Sequence, residues 1–340
     1  MARPVVLVTG AAGFIGYHLS QLLLKDGCDV VGVDNHNAYY DPALKAARES
    51  ELSLYANYLS VKGDVAEQGL LMGLFEAHRP DFVVHLAAQA GVRYSIDNPR
   101  AYTEANLMGT FELLEAARAH PPRHTLIAST SSVYGANTQM PYRETDKVDS
   151  QMSYYAATKK ANEAMAHSYA HLFGFPVTMF RFFTVYGPWG RPDMAPYLFT
   201  SAILDDQPIK VFNHGDMQRD FTYVVDLVRG IRLLMDAVPQ TPTNGAVDDG
   251  DSLSPVAPWR VVNIGNGAPV RLLDFIGAIE AASGRVANKR MLPIQPGDVP
   301  ATWADTTLLQ KLTGYVPETS VVDGVKAYVE WHMGYYGAKA

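Results

Sequence analysis

Near the start of the chain, residues 9–16 read Thr9-Gly-Ala-Ala-Gly-Phe-Ile-Gly16. They follow Val5–Val8, a short continuous apolar run typical of a strand buried on both faces of a parallel sheet. They lead into Phe14–Lys25, which has apolar residues at helical spacing and stops at Gly27. The spacing Gly-x-x-Gly-x-x-Gly between a strand and an amphipathic helix predicts a loop that cradles a dinucleotide pyrophosphate.

The three glycines of this loop have separate predicted tasks. Gly10 makes the tight turn, Gly13 lets backbone N–H groups approach the pyrophosphate, and Gly16 lets helix and strand pack closely. The helix N-terminus faces the phosphates with its partial positive charge. Phe14 and Ile15 begin that helix and are predicted to contact the cofactor.

An acidic residue at the end of the next predicted strand selects the dinucleotide. Asp34 follows Val30–Val33, where a carboxylate accepts hydrogen bonds from the ribose hydroxyls and repels a 2′-phosphate. This position favours NAD over NADP. The other cofactor contacts predicted at strand ends are Asn35, Asp64, Val65, Leu86, Ala87 and Ala88.

Strands and helices alternate beyond this point, which predicts a doubly wound parallel sheet. The further strands are predicted at Tyr58–Val61, Phe82–Leu86, Thr125–Ala128, Val177–Phe182 and Val261–Ile264. The helices are predicted at Leu70–His78, Asn106–His120, Ala156–Phe173, Leu272–Ala282 and Val322–Met333. The pattern becomes irregular after Gly187, and Thr241–Pro258 is predicted to be a mobile surface loop.

We therefore predict an α/β fold with two domains. Residues 1–186 form a Rossmann-type NAD-binding domain, to which segments near 220–264 return. Residues 187–340 form mainly a smaller, mixed α/β domain that binds the substrate.

Composition narrows the setting of the protein. The 340 residues carry a formal net charge of −7, which gives no support for nucleic-acid binding. Cys28 is the single cysteine, so no intrachain disulfide forms and a reducing, cytoplasmic location is expected. No apolar run reaches the roughly 18 residues that span a bilayer. The first strand begins at Val5, so we expect no signal peptide and no membrane association.

A hydroxyl run and a tyrosine–lysine pair form a second pattern. Ser129–Ser132 follows the predicted strand Thr125–Ala128, and Tyr155 and Lys159 lie four residues apart on one helical face. Taken singly, these features fit a turn and a surface pair. Together with the glycine loop, and in this order, they resemble the extended branch of the short-chain dehydrogenase/reductase superfamily.

This resemblance implies roles for individual residues. Tyr155 is the general base or acid, and Lys159 holds the nicotinamide ribose and, with the positive nicotinamide, lowers the pKa of Tyr155. Thr130, three residues before Val-Tyr-Gly, bonds the reacting sugar hydroxyl and helps to shuttle its proton. Ser129 is structural or near the cofactor. The resemblance adds Asn106 and Phe183 to the cofactor contacts and implies tightly bound NAD that is not consumed.

The residues after Thr130 discriminate between chemistries within the superfamily. Sugar-nucleotide dehydratases carry Asp-Glu there, and UDP-glucuronate decarboxylases carry Glu at the second position. This chain has Ser131 and Ser132 instead. The stretch therefore resembles that of a 4-epimerase, which oxidises C4, rotates the keto sugar and reduces its other face.

Several segments resemble UDP-glucuronate 4-epimerases, namely 88–95, 181–194, 217–223 and 295–305. This likeness implies interconversion of UDP-glucuronate and UDP-galacturonate. Arg191 lies near the sugar carboxylate or the adjoining phosphate, and Thr184 leaves room for that carboxylate. Arg219 binds the UDP diphosphate, Asp298 the uridine ribose, and Arg93 is a weaker candidate. The remaining predicted substrate contacts are Met194, Val211 and Phe212. No metal is implied.

Other interpretations remain open at this point. The enzyme could epimerise a neutral UDP-sugar or decarboxylate UDP-glucuronate, or the chain could be a non-catalytic NAD sensor on the same fold. The last alternative tends to lose the Tyr or the Lys, and both are present here. The family also implies that the helices Asn106–His120 and Ala156–Phe173 pair in a homodimer.

Overall fold

A computed structural model describes residues 3–295 and 299–337. The strands, in chain order, are β1 (Val5–Thr9), β2 (Asp29–Asp34), β3 (Tyr58–Lys62), β4 (Phe82–His85), β5 (His124–Thr130), β6 (Val177–Phe182), β7 (Thr184–Tyr186), β8 (Ile209–Val211), β9 (Gln218–Tyr223), β10 (Trp259–Ile264), β11 (Pro269–Arg271), β12 (Lys289–Met291) and β13 (Ala301–Thr302).

The helices, in chain order, are α1 (Phe14–Lys25), α2 (Pro42–Leu52), α3 (Leu70–His78), α4 (Tyr94–Asp97), α5 (Pro99–Tyr102), α6 (Gly109–Ala119), α7 (Tyr154–Phe173), α8 (Ala195–Leu204), α9 (Val224–Asp236), α10 (Leu272–Ser283), α11 (Thr307–Thr313) and α12 (Val321–Gly337). A π-helical turn, Thr103–Met108, joins α5 to α6. Short 3₁₀ turns occupy Ser131–Tyr134, Phe212–Gly215 and Thr243–Gly245.

A seven-stranded parallel sheet forms the centre of the molecule, in the order β10-β6-β5-β4-β1-β2-β3. The strand order reverses between β1 and β4, which pair in parallel from Val6 with Phe82 to Thr9 with His85. This confirms the predicted doubly wound fold. In such sheets a ligand binds outside the carboxyl ends of the strands at the point of reversal.

Apolar side chains bury both faces of this sheet. One layer packs α1, α9 and α11 against one face, through residues such as Leu19, Ile231 and Leu309. The other layer packs α3, α6 and α7 against the opposite face, through residues such as Phe75 and Leu113. Cys28 lies in the first layer and is 5% exposed, as expected for a small core residue.

A second group of elements stands beside the large sheet. β11, β9 and β13 are neighbours in a smaller sheet, β7 pairs with β9, and β12 pairs with β8. Helices α8, α10 and α12 cover this group with their own apolar cluster, which includes Phe221, Phe275 and Val329. The predicted domain boundary at residues 186 and 187 stays a prediction.

The region after Gly187 is more regular than its sequence indicates. Helix α9 forms between strand β9 and a proline-rich segment, and it packs against α1. The segment predicted to be a mobile surface loop is anchored in its second half. Arg260 forms an ion pair with Asp251 at 2.9 Å, and both side chains are nearly buried. His167 is hydrogen-bonded to Ser254 at 2.8 Å.

Candidate active site

A cavity of about 450 Å³ opens at the carboxyl ends of β1, β2, β4 and β5. This volume lies in the usual range for small-molecule sites. The predicted residues that line it are Gly10, Gly13, Phe14, Ile15, Gly16, Asp34, Asn35, Asp64, Val65, Leu86, Ala87, Ala88, Ser129, Thr130, Ser131, Ser132, Tyr155, Lys159, Phe183, Thr184, Arg191 and Met194. The fold thus brings most of the predicted residues to one place.

The glycine loop at one end of the cavity has room for the backbone only. Gly10 has φ +71°, and a Cβ there would lie 2.9 Å from the Ala87 nitrogen. A Cβ at Gly16 would lie 2.0 Å from the Gly10 oxygen. Helix α1 begins after Gly13 with no side-chain cap and no acidic residue in its first turn. Its first N–H groups therefore suit an anion such as the pyrophosphate of NAD.

The acid predicted to hold the adenosine ribose is fixed by its neighbours. Asp34 accepts a hydrogen bond from the His36 backbone at 2.8 Å and from Lys45 Nζ at 3.2 Å. Lys45 also donates to Asn37, and Asn35 donates to Asp64 at 2.9 Å. Lys45 was not predicted, because no sequence pattern connects helix α2 with the end of β2.

Helix α7 carries the proposed proton-transfer residues. Ser153 caps the helix by accepting a hydrogen bond from the Ala156 backbone, so Tyr155 lies in the first turn. Lys159, one turn later, donates to the Ala128 carbonyl at the end of β5 at 3.0 Å. Burial lowers the pKa of Lys159 to about 8.

The environment of Tyr155 acts on its pKa in two directions. Burial raises the pKa of Tyr155, while a hydrogen bond with Thr130 and the charge of Arg191 act in the opposite direction. The Lys159 amino group is directed to the Ala128 carbonyl. Its predicted influence on the pKa of Tyr155, together with the nicotinamide, stays a prediction.

The hydroxyl run forms a turn at the mouth of the cavity. The Thr130 hydroxyl accepts a hydrogen bond from the Ser132 backbone at 3.2 Å and donates to the Ser132 hydroxyl at 3.3 Å. This caps the 3₁₀ turn Ser131–Tyr134, and the four successive hydroxyl residues Ser129–Ser132 line the cavity. Ser129 has a structural partner, because its hydroxyl donates to Glu163 at 2.7 Å.

A buried ion pair supports this side of the site from behind. Arg181 on β6 donates twice to Glu163 on α7, each time at 2.9 Å, and both side chains are almost fully buried. Burial raises the pKa of Glu163, but the charge and hydrogen bonds of Arg181 and Ser129 outweigh this and lower it overall. The available sequence signal was position, since Glu163 follows Lys159 by four residues on the same helical face.

Arg191 also lines the cavity and lies on the loop that follows β7. Its Nε donates to Asp193 Oδ1 at 3.0 Å and its Nη2 to Asp193 Oδ2 at 2.5 Å. The Tyr39 hydroxyl donates to the same Asp193 carboxylate at 3.1 Å. Neither Asp193 nor Tyr39 was predicted as a site residue.

Several predicted residues lie away from the described lining of the cavity. Asn106 is fully buried. Its Oδ1 accepts a hydrogen bond from the Gln89 backbone N–H, and its Nδ2 donates to the Gln89 carbonyl and to the Thr158 hydroxyl. It therefore supports Gln89, which lines the cavity, and its predicted contact with the cofactor stays a prediction. The other residues outside this lining are Arg93, whose guanidinium lies 5.6 Å from the Phe212 ring centre, Val211, Phe212 and Arg219. Asp298 lies outside the described residues.

Arg219 and Val211 belong to the second group of elements. Arg219 Nη1 donates to the carbonyls of Gln218 at 2.9 Å and Pro300 at 3.1 Å. Val211 is fully buried in the apolar cluster of that group. Their predicted contacts with UDP stay predictions.

Across residues 3–295 and 299–337, no group of three or more His, Cys, Asp or Glu side chains could hold a metal ion. None of the helices in this part of the chain is long and apolar enough to cross a membrane.

Comparison with known proteins gives consistent matches over the chain. The profile of the NAD dependent epimerase/dehydratase family matches residues 6–248. The chain is 49% identical over 327 residues to a probable UDP-glucuronate 4-epimerase of Rhizobium meliloti (strain 1021), covering 96% of each. It is 44% identical over 336 residues to UDP-glucuronate 4-epimerase 4 of Arabidopsis thaliana, covering 97% of this chain and 76% of that protein.

A solved structure matches the fold over nearly the whole chain. It is UDP-glucuronic acid 4-epimerase from Bacillus cereus, in complex with UDP-glucuronic acid and NAD. The TM-score is 0.86 at 34% identity, with 98% of this chain and 100% of that chain covered.

Proposed function

The chain belongs to the NAD-dependent epimerase/dehydratase family, and we propose that within this family it acts as a UDP-glucuronate 4-epimerase. The resemblance predicted from its motifs is confirmed by the family profile and by the relatives. The proposed reaction interconverts UDP-glucuronate and UDP-galacturonate by transient oxidation at C4, rotation of the 4-keto sugar and reduction on the other face.

One observation carries the proposal, which is the set of side chains that share the cavity with Tyr155. They are Thr130, Ser131, Ser132, Thr184, Lys159 and Arg191. A guanidinium and several short hydroxyls match a carboxylate by charge-assisted hydrogen bonds, and a neutral sugar needs no such charge. Neither Ser131 nor Ser132 supplies a carboxyl group for eliminating water.

The residues of the chain move the proton of the C4 hydroxyl. Tyr155 takes this proton, and the Thr130 hydroxyl, whose interaction with Tyr155 lowers the pKa of that tyrosine, stabilises the resulting phenolate. When bound, NAD would supply the acceptor for the hydride that leaves C4 and would give the same hydride back to the keto sugar, so it is not consumed. Tyr155 then returns the proton to the epimer.

The hydroxyls also have to keep the carboxylate on the sugar. A 4-keto uronate is a β-keto acid, which loses CO₂ when the bond to the carboxylate stands perpendicular to the ketone plane. Ser131, Ser132 and Thr184, together with Arg191, can fix the rotation of the carboxylate by several bonds. We propose that this restraint separates epimerisation from decarboxylation.

Product NMR tests the proposed function directly. The purified protein is incubated with NAD and, separately, with UDP-glucuronate, UDP-galacturonate and UDP-glucose. We expect the two uronates to interconvert and UDP-glucose to remain unchanged. Formation of UDP-galactose would show that the protein is an epimerase for neutral sugars. Formation of UDP-pentose and CO₂ would show that it is a decarboxylase. The absence of product from every substrate would show that it is a non-catalytic NAD-binding protein.

We also propose that the protein is a cytoplasmic homodimer. Helices α6 and α7 and the turn before α6 expose Met108, Phe111, Tyr154 and Phe173, which suits pairing with a second copy. Light scattering should give twice the mass of the chain, and a monomer at micromolar concentration would contradict this. Cell fractionation followed by immunoblotting tests the location.

A further inference from the structure

Two loops that are distant in sequence meet beside the cavity. The first, residues 35–41, follows β2 and carries Tyr39. The second, residues 187–194, follows β7 and carries Arg191 and Asp193. The Arg191 guanidinium lies 5.8 Å from the Tyr39 ring centre, and both side chains line the cavity.

Asp193 connects the two side chains. Its carboxylate accepts two hydrogen bonds along one edge of the Arg191 guanidinium and a third from the Tyr39 hydroxyl. A guanidinium has five donors in a rigid fork, so donors remain for a second carboxylate. A side chain held in one geometry before the ligand arrives loses less freedom on binding.

The Arg191 loop is itself held in place by the cofactor-binding part of the chain. His18 on α1 donates to the Pro188 carbonyl at 2.8 Å, because a carbonyl oxygen can only accept. Burial lowers the pKa of His18 to about 4. The fully buried Arg48 on α2 donates to the Trp189 carbonyl at 2.5 Å. Two backbone anchors therefore precede Arg191 by two and three residues.

Tyr39 has equally little freedom. Its ring packs against Tyr94 with centroids 4.9 Å apart. A Cβ at Gly91, where φ is +102°, would lie 2.7 Å from the Tyr39 hydroxyl, so the Gly91 backbone closes tightly over it. The hydroxyl is thus confined where it meets Asp193.

We propose that Asp193 and Tyr39 are positioning residues that hold Arg191 ready for the carboxylate of the sugar, and so set the preference for a uronate over a sugar without a carboxylate. This inference rests on the proposed function. Neither residue needs to touch the substrate. Both act through Arg191, which the fold holds near Tyr155 closely enough to influence its pKa.

A competing role for Asp193 would have the opposite sign. If the Asp193 carboxylate only competed with the substrate for the Arg191 guanidinium, the substrate carboxylate would have to displace it. Removing the charge of Asp193 would then tighten uronate binding. If Asp193 positions Arg191, removing its charge weakens uronate binding.

The test compares two ligands that differ by the carboxylate alone. UDP-xylose is UDP-glucuronate without that group, and both are titrated into NAD-loaded protein in a Tyr155→Phe background that prevents turnover. Asp193→Asn should weaken UDP-glucuronate binding about tenfold, and Tyr39→Phe roughly threefold, because each removes hydrogen bonds to a charged group. UDP-xylose affinity should stay within about twofold.

Matched controls separate this effect from a general structural one. Tyr315 donates to Asp226 at 3.0 Å beneath Arg229, away from the cavity, so Tyr315→Phe repeats the chemical change elsewhere and should leave both affinities unchanged. Arg191→Met should abolish most of the preference for UDP-glucuronate.

Three outcomes would overturn the proposal. They are an equal loss for both ligands in Asp193→Asn and Tyr39→Phe, tighter UDP-glucuronate binding in Asp193→Asn, and an unchanged preference in Arg191→Met. Failure of the proposed function is distinguishable, because the wild-type protein would then not interconvert the two uronates at all.

Discussion

The two sides of the cavity are built from different kinds of structure. The proton-transfer side, Thr130, Tyr155 and Lys159, lies at the end of β5 and in the first turns of α7, and a buried ion pair supports it. The recognition side, Tyr39, Arg191 and Asp193, lies on loops, and the side chains of its ion pair are 21% and 28% exposed. Changes on the first side should reach turnover and stability, and changes on the second should alter selectivity.

The largest expected effect comes from the proton-transfer side. Tyr155→Phe removes the group that moves the C4 proton, so kcat for UDP-glucuronate should fall by about 10³-fold. Phe keeps the size and shape of the ring, so NAD content and melting temperature should match the wild type. Product NMR and nucleotide absorbance measure the two quantities. A rate within tenfold of the wild type would remove Tyr155 from the mechanism.

The next effect concerns the support behind this side. Glu163→Gln leaves the buried Arg181 charge without its partner, which should lower the free energy of unfolding by about 3 kcal/mol in urea titrations. Glu104→Gln is the control, because Glu104 and Arg100 are 3.9 Å apart and well exposed. Its effect should stay below about 1 kcal/mol. Equal effects of the two substitutions on the free energy of unfolding would show that the buried ion pair stabilises the fold no more than the exposed one.

The contribution of the buried Glu144 carboxyl to the stability of the fold should depend on pH. Burial raises the pKa of Glu144 from 4.5 to about 7, although its carboxylate accepts a hydrogen bond from the Asn263 backbone. A raised carboxyl pKa stabilises the fold below pH 4.5, and this stabilisation is lost as the pH rises from 4.5 to 7.

Glu144→Gln keeps the acceptor oxygen and removes the titration. At pH 8 the variant should be more stable than the wild type by at most about 3 kcal/mol, and this advantage should shrink as the pH approaches 4.5. Thermal unfolding of both proteins across this range measures the difference. A difference that is constant with pH would show that Glu144 does not titrate as described.

The smallest effect comes from the two serines that follow Thr130. Replacing Ser131 and Ser132 together by Ala should raise the fraction of turnover that ends in UDP-pentose and CO₂ by about tenfold, because two restraints on the carboxylate are lost. NMR of the products gives this fraction, and Ser252→Ala outside the cavity is the control. An unchanged fraction would sink the restraining role of the serines.

The same contrast governs what can be predicted from the sequence. Helix α1 and strand β6 have the predicted bounds. In both, the local spacing of hydrophobic residues is enough to define the element and its ends. Strands β7 and β8 have three residues each, which is too short for a recognisable pattern. Helix α9 is missed because its start, Val224-Val225, is β-branched and no side chain caps it.

Site residues divide along the same line. Tyr155, Lys159 and the glycine loop follow from spacing within one or two neighbouring elements. Tyr39 and Asp193 are 154 positions apart, and only the folded chain brings them together. Glu163 and Arg181 likewise become partners because helix α7 packs against strand β6. No spacing of residues in the sequence predicts this ion pair.

The hydrogen bonds of Arg48 limit which segments of the chain can be exchanged with those of a relative. Its guanidinium donates to the Ala12 carbonyl, the Tyr40 hydroxyl and the Trp189 carbonyl, so one side chain reaches the glycine loop and both recognition loops. Residues 187–194 are therefore not an independent cassette. A chimera that exchanges this segment with a relative has to carry position 48 and its surroundings along with it to retain the same backbone path.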